Sequence, residues 1–589
     1  MIIVYLIPIL IYLSLLTLIG IYKSRQVKTQ QDFALAGRTL SPWVMVLTML
    51  AVWIGTGSIV GNAEEAYKTG MAALVIPFGT FAGMILLSLI AMRARNVEAS
   101  SVPEIIGSRF GIAARFLSVI SLVTAYMVIV SYQFNAGGAV LEVITGDKPP
   151  VAVNVGDTVT RSQLTKGRLV FTPPPDFEGQ AILSVQPDDM SQSYDYVVKV
   201  VPQENYLDEV ENAADIKNMS VIQNNATSKM QFELDKKAPQ TLKIAALPSP
   251  LHGSIELVEP KLTKERATII AAVFIIIYTM LAGLKSLASM DVVTGSVITI
   301  SLLIAFPVLL FKAGGFEGMR TAYDTIQNKP SHMQFFGVYS PVHYINFLLP
   351  TFLLVMGDAN QYQRIFASRN ARGARKAVIA LIFAALTIEL LIIASAWVAG
   401  SMTPDPENGK YILIYAARHH MPLILGMFFM VTVVGIIIST ADSFLLVPAT
   451  SFINDVYSTY INPKANQKRV VFISRVLVVA FGVIAYLVTH AFAENTGFFK
   501  KALYAYTIYG SAITPTLVAA LFWKRATKAG AIASIIAGAL TTLLWGGVIR
   551  DHLPSQAADL EAVLPAITLS VICLIVVSLL TSPKAVRSN

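Results

Sequence analysis

The sequence predicts an all-α polytopic membrane protein that carries one polar, β-rich insert, on three observations. Of 589 residues, 54% are hydrophobic and only 14% are charged, whereas soluble domains carry about a quarter charged residues. Apolar runs of roughly 20 residues, enough to cross a bilayer as helices, recur along the chain. Between 147 and 262 these runs stop, and a stretch rich in proline, aspartate and lysine takes their place.

Thirteen apolar runs read as spans: 2–22, 41–60, 71–92, 113–145, 266–283, 293–312, 345–363, 376–399, 422–448, 470–491, 502–523, 529–548 and 562–580. The first, "MIIVYLIPILIYLSLLTLIGIY", lacks a basic leader and a small-residue cleavage pattern, and Lys23, Arg25 and Lys28 follow it. It reads as a retained helix with its N-terminus outside. That orientation puts "MRAR" (92–95), "RIFASRNARGARK" (364–376), "KANQKR" (464–469) and "WKRATK" (523–528) in the cytoplasm. The odd count leaves the tail "SPKAVRSN" inside as well. The formal charge of +9 therefore follows topology and not a nucleic-acid partner. A single cysteine, Cys573, excludes an intrachain disulfide and a cysteine-based metal centre.

The segment 147–262 holds short alternating runs: "KGRLVFTP", "QAILSVQ", "SYDYVVKVV", "KMQFELD", "TLKIAAL" and "GSIELVE". Period-two alternation between Pro, Gly and Asp signals predicts about six strands and a small β-sandwich outside the cell. "FTPPPDFEGQA" and "LPSPLHGSIEL" resemble recurring motifs of bacterial cadherin-like or immunoglobulin-like domains. The acidic pair Asp188–Asp189 reads either as a calcium ligand or as solvated loop charge. The chain divides into a leading helix with core helices 1–3 (1–146), the insert (147–262), core helices 4–10 (263–523), and two trailing helices with a tail (524–589).

Two spans are interrupted at membrane depth. "LAVWIGTGSIVGNAEEAYKTG" (50–70) holds Gly55, Thr56 and Gly57, and "LLVMGDANQYQR" (353–364) holds Gly357, Asp358 and Asn360. Each glycine costs ~1 kcal/mol in helix propensity. One such glycine reads as close helix packing. Two breaks five spans apart point to an inverted-repeat transporter whose unwound backbone binds ion and solute. A third polar cluster lies in "GIIISTADSFLLVP" (435–448), with Ser439, Thr440 and Asp442. Polar groups in hydrocarbon need a partner helix, water or an ion. For the hydroxyls the other reading is a bond back to a carbonyl one turn earlier.

Outside 147–262 the chain resembles the sodium:solute symporter family. The stretches that carry the likeness are "DFALAGRTLSPW" (32–43), "WIGTGSIVGNAEEAYKTG" (53–70), "YTMLAGLKSLASMDVVTG" (278–295), "GDANQYQRIFAS" (357–368) and "STADSFLLVPATSFINDVY" (439–457). In the third, the family's glycine–lysine turn and following aspartate fall at Gly283, Lys285 and Asp291, between the fourth and fifth core helices. The resemblance implies the LeuT-type fold of two inverted five-helix repeats, with one leading and two trailing helices.

It also implies a sodium site of carbonyls from Ala51, Ile54 and Ile436 and hydroxyls from Ser439 and Thr440. The chemistry agrees: sodium needs several oxygens to replace its hydration shell, and a broken helix frees carbonyls. Ile436, Ser439 and Thr440 share one helix face. Asp442 stands where the better-known members have a small neutral residue. It either tunes the ion site or faces the cytoplasmic vestibule. Asp291 aligns with a family aspartate associated with ion passage, or is an interfacial charge. Glu389, in "LTIELLII", is either a proton-relevant group or the partner of a polar neighbour.

For the solute, the expected set is Trp53, Gly55, Thr56, Asp358, Tyr504 and Tyr506, with Tyr509 a further candidate. The first core helix looks most like that of choline transporters, which also place a tryptophan before a glycine run. Trp53 beside a buried Asp358 suits an amine, a quaternary ammonium or an amino acid. The alternatives are packing for Trp53, and a second sodium or Arg364 for Asp358. The expected function is import of a small organic solute with sodium across the inner membrane, with Na+ as coupling ion and no cofactor. Proton coupling through Asp442, Asp358 or Glu389 is the alternative within the class. A sensor that reads a ligand through the insert is the alternative outside it. No P-loop, HExxH or GxSxG arrangement supports an enzyme.

Overall fold

The computed structural model describes residues 2–581, except 26, 28, 149, 154–157, 161–167, 173–178, 188–193, 202–218, 224–240, 248–253, 282, 404–408, 410, 492–496, 546–548 and 551–559. Two compact units emerge, 3–140 with 268–589, and 141–267.

The first unit is a helical bundle. Its early helices are α1 (Ile2–Ser24), α2 (Pro42–Trp53), α3 (Ala63–Thr69), α4 (Pro77–Asn96) and α5 (Ile112–Thr145). After the insert come α6 (Lys264–Leu281), α7 (Leu284–Lys312), α8 (Pro341–Gly357), α9 (Ala359–Ala367) and α10 (Ala371–Ser401). The series ends with α11 (Leu423–Phe452), α12 (Gln467–Val488), α13 (Phe498–Phe522), α14 (Lys528–Leu544) and α15 (Val563–Thr581). Outward faces are apolar, as hydrocarbon requires: α1 exposes Ile11 and Leu18, and α15 exposes Ile572 and Leu579.

Of the thirteen expected spans, eleven fall on helices long and apolar enough to cross a bilayer, with one bent pair counted as a single span. The other two positions are helical but fall short of that measure among the described residues. α6 spends its first turn on Lys264, Glu265 and Arg266, and α14 has only 17 residues. One boundary differs in a way that matters. α7 starts at Leu284, not 293, so Asp291 lies two turns inside a helix and is buried; it is not in the loop between two spans.

Both expected interruptions are present. α2 ends at Trp53, where Ile54 leaves helical geometry at ψ 90°. The chain resumes through a π-turn, Gly57–Asn62, into α3, at a bend of 55°. α8 and α9 meet at Asp358, whose ψ of 111° breaks the helix.

The second unit is β-rich. Its strands are β1 (Val151–Val153), β2 (Thr158–Thr160), β3 (Arg168–Thr172), β4 (Gly179–Pro187), β5 (Tyr194–Val201), β6 (Met219–Gln223), β7 (Thr241–Leu247) and β8 (Ser254–Val258). They form a three-stranded sheet, β1-β8-β3, and a five-stranded sheet, β2-β7-β4-β5-β6. All pairings are antiparallel except β5 with β6. Five of the six expected runs are strands. "KMQFELD" and the pair Asp188–Asp189 lie outside the described residues, as do the middles of "FTPPPDFEGQA" and "LPSPLHGSIEL". The neck of this unit is tied by Lys148 N donating to Glu259 O at 2.8 Å, Lys261 N to Gly146 O at 2.9 Å, and a Lys148–Glu259 ion pair at 2.7 Å. In the bundle, Gly138 of α5 packs on α6: a Cβ there would lie 2.8 Å from Thr268 N.

Candidate functional site: the two helix breaks and the hydroxyl-bearing helix

The break after α2 frees backbone oxygens because its amides turn elsewhere. Ser58 and Ile59 both donate to Gly55 O, at 3.0 and 2.9 Å. Thr56 N donates to the Gln133 side chain at 3.4 Å, and the Thr56 hydroxyl donates to the same Oε1. Into this gap α11 sends Thr440, whose hydroxyl lies 3.4 Å from Ile54 O and 3.5 Å from Val52 O. Gly55 permits the approach: a Cβ there would sit 2.8 Å from Thr440 Cγ2 and 3.0 Å from its Oγ1. Three oxygens therefore converge at the break, a donor set suited to a hard monovalent cation.

Of the five residues expected to hold sodium, the structure brings Ile54 and Thr440 together. Val52, not Ala51, is the second carbonyl beside the threonine. Ala51 and Ile436 are both buried, and no hydrogen bond among the described residues ties either to the two hydroxyls. Ser439 turns away, donating to Asp291 Oδ1 at 2.6 Å.

Asp291 opens a second polar cluster, wholly buried. Its Oδ2 accepts from Thr48 at 2.5 Å and from Arg364 Nη2 at 3.2 Å. Arg364, 0% exposed, also donates to Thr48 Oγ1 at 3.1 Å, Asn360 O at 3.3 Å and Ser443 Oγ at 2.8 Å. Asp442 accepts from Ser443 at 3.2 Å and is 2% exposed, so it joins this cluster. The guanidinium thus pairs with Asp291, not with Asp358. Of the two ion-pathway candidates, Asp291 contacts Ser439 directly, and Asp442 joins the same cluster through Ser443 and Arg364.

Asp358 is satisfied otherwise. Tyr126 donates to its Oδ1 at 2.5 Å and the Asn360 amide at 3.2 Å, which makes it the N-cap of α9. Tyr126 also packs on Phe444 and Tyr509, at ring separations of 4.5 and 5.6 Å.

Trp53 instead finds Glu389, on α10: its indole donates to Oε1 at 2.8 Å. Both line a cavity of about 20 Å³ with Gly57, Asn62, Thr80 and Tyr506, room for about one water molecule. Tyr506 closes on Gly57, where a Cβ would meet its hydroxyl at 2.5 Å. Tyr504 does not line this cavity, because two positions along a helix turn it about 200° away. Nor does Asp358. Residues the sequence reading passed over are Gln133, Thr48 and Val52. Gln133 carried a signal, one of two amides, with Asn135, in the apolar run 113–145. Among the described residues, the unpartnered buried polar atoms near the breaks include Gln133 Nε2, Asn360 Nδ2 and Oδ1, and Glu389 Oε2. Such atoms are rare in native cores, and strain, a functional role or a bound water or ion accounts for them.

The model of the sodium:solute symporter family matches residues 33–161 and 253–538. The osmoregulated proline transporter OpuE of Bacillus subtilis is 27% identical over 321 residues, 53% of this chain and 63% of that one. The high-affinity proline transporter PutP of the same organism is 27% identical over 306 residues, 49% of this chain and 62% of that one. The chain thus spans less than two thirds of the length of these transporters. Among solved structures, a substrate-bound, outward-open Na+-coupled sialic acid symporter superposes with a TM-score of 0.63 at 15% identity, over 98% of this chain and 97% of that one. That likeness is one of fold. The family model is interrupted only at 162–252, inside the β-rich segment, and takes in both helix breaks, α7 with Asp291, and Ser439 and Thr440 of α11, and by it the chain belongs to the sodium:solute symporter family.

Proposed function

We propose that the protein is a sodium-coupled secondary active symporter that imports a small organic solute by alternating access. The observation that carries this reading is the convergence of Thr440 Oγ1 on the Ile54 and Val52 carbonyls at a helix break. In this reading sodium takes those oxygens, with Ser439, Ala51 and Ile436 completing the shell as the site closes. Asp291 and Asp442 then set the potential along the ion's path. No cofactor is needed, since the sodium gradient supplies the driving force.

The same reading takes all thirteen helices as spans arranged as two inverted repeats of the LeuT type in the inner membrane. The N-terminus and the β-rich segment then lie outside and the C-terminus inside, as the basic loops favour. The solute is a small molecule bound at the midplane near Trp53, Gly55, Thr56 and Tyr506. Relatives named as proline transporters support an amine-bearing solute, and Trp53 extends that class to choline-like quaternary ammonium ions.

Proton coupling is the second reading, favoured by Glu389, a buried acid that forms no ion pair among the described residues, and by Asp442, whose link to Arg364 runs through Ser443. Uptake of labelled L-proline and labelled choline into proteoliposomes, at fixed pH, decides between them. Sodium coupling requires accumulation under an inward sodium gradient and none under potassium. Accumulation driven by a pH gradient without sodium would overturn it.

A further inference from the structure

The buried carboxylates of the bundle differ in how their charge is met. Asp291 faces Arg364 at 3.2 Å, Asp455 takes Arg115 at 2.6 Å, and Glu64 takes Lys68 at 2.7 Å. Asp358 accepts from Tyr126 and a backbone amide. Asp442 accepts from Ser443, which itself carries the Arg364 guanidinium. Glu389 is the exception. It is 3% exposed and met by neutral groups alone, the Trp53 indole at Oε1 and the Thr80 side chain, and no donor of normal geometry meets its Oε2 among the described residues. It is also the only acid among the residues lining its cavity, and no Lys, Arg or His lines that cavity.

A carboxylate removed from water without a counter-charge is costly, and intramembrane acids of this kind are kept for a partner that arrives. The walls select which partner. Trp53, Phe499 and Tyr506 present rings beside the carboxylate, and Asn62, Thr80 and Thr351 add neutral polar groups. Rings with one carboxylate form the recognition chemistry of an ammonium ion. An anionic head group would meet only repulsion from Glu389. A neutral sugar would leave the charge unmet.

We infer that Glu389, not Asp358, is the counter-charge for a positively charged nitrogen on the transported solute, seated between its carboxylate and the Trp53 and Tyr506 rings. The inference rests on the symport reading above. With room for about one water, the cavity admits a solute only as its walls part. Gly57 against Tyr506 is the contact that opens.

The test uses purified full-length protein in sodium, with thermal stabilisation as the readout and size-matched probe pairs: L-proline against cyclopentanecarboxylate, and choline against 3,3-dimethylbutan-1-ol. Wild-type protein is expected to be stabilised by the nitrogen-bearing member of a pair and not by its neutral-carbon match. Glu389→Gln is expected to weaken that binding about thirtyfold or more, and Glu389→Asp to retain part of it. A sodium-dependent shift in both variants marks folded protein. Equal stabilisation by both members of each pair, or cation binding in a folded Glu389→Gln variant equal to wild type, would overturn the inference. Sodium-driven uptake confined to neutral or anionic solutes would also overturn it and leave the symport reading standing. Loss of all sodium dependence in the wild type would instead remove the symport reading.

Discussion

Thr440 and Ile54, 386 residues apart in sequence, meet with the threonine hydroxyl 3.4 Å from the isoleucine carbonyl. Removing that hydroxyl takes away one of the few oxygens at the break. Thr440→Ala is expected to raise the sodium concentration for half-maximal stabilisation about tenfold, ~1.4 kcal/mol. Thr440→Ser should stay near wild type. A sodium titration of the melting temperature checks both, and an unchanged titration in Thr440→Ala would remove the threonine from the site.

Gly55 supplies the space for that meeting. Gly55→Ala would press its methyl against Thr440 Cγ2, 2.8 Å away, and should weaken the sodium response as strongly as Thr440→Ala does. The double variant Gly55→Ala/Thr440→Ser deletes the clashing methyl and is expected to recover most of the response. Absence of recovery would mean that the glycine acts through backbone conformation instead.

Arg364 and Asp291 form an ion pair with no solvent access. Breaking such a pair from one side leaves a charge stranded, at roughly 3–5 kcal/mol. Arg364→Ala should therefore lower the melting temperature sharply, and Arg364→Ala/Asp291→Asn should regain much of the loss. Arg364→Lys is expected to fail too, since one ammonium cannot reach Thr48, Asn360, Asp291 and Ser443 together. The melting temperatures of wild type, Arg364→Ala, Asp291→Asn and the double variant form the required cycle.

Outside the spans, His420 is held down to about 4 by burial, with Lys312 and then His419 adding repulsion; its Nε2 lies 2.8 Å from Thr403 Oγ1. Unfolded chain takes up this proton near 6.5, so between about 6.5 and 4 it binds more protons than folded chain. The stability His420 contributes is full above about 6.5 and is lost as pH falls towards 4. His420→Gln should flatten the melting-temperature profile across that window. A profile parallel to wild type would contradict this.

Replacing 149–258 with a short Gly-Ser linker should leave a bundle that still melts cooperatively and still responds to sodium, because the neck and the α5–α6 contact at Gly138 and Thr268 remain. Loss of the sodium response in a folded variant would favour a sensing role for the insert.

What was legible in the sequence was local. Gly55 and Asp358 announced their breaks because glycine and a capping aspartate are out of place in a lipid helix, and Ser439 and Thr440 stood out as adjacent hydroxyls in an unbroken one. What was hidden was partnership. Glu389 stood out as an intramembrane acid, yet its partner Trp53 lies 336 positions away. Arg364 was weighed only as a partner for Asp358, and its pairing with Asp291 emerges once α7, α9 and α11 are packed. Ser439 and Thr440 are neighbours in the chain but serve different clusters, since adjacent helix positions turn about 100° apart. The Tyr504 and Tyr506 pair divides for the same reason.

The closed neck at Lys148 and Glu259 has a further bearing. The polypeptide departs and returns at nearly one point, so about a hundred residues hang there as a cassette whose closure entropy grows only slowly with length. Evolution can lengthen, trim or exchange such a cassette without renegotiating the ion pathway. An experimenter can do likewise, grafting a fluorescent or affinity module at this doorway in place of the native sheets.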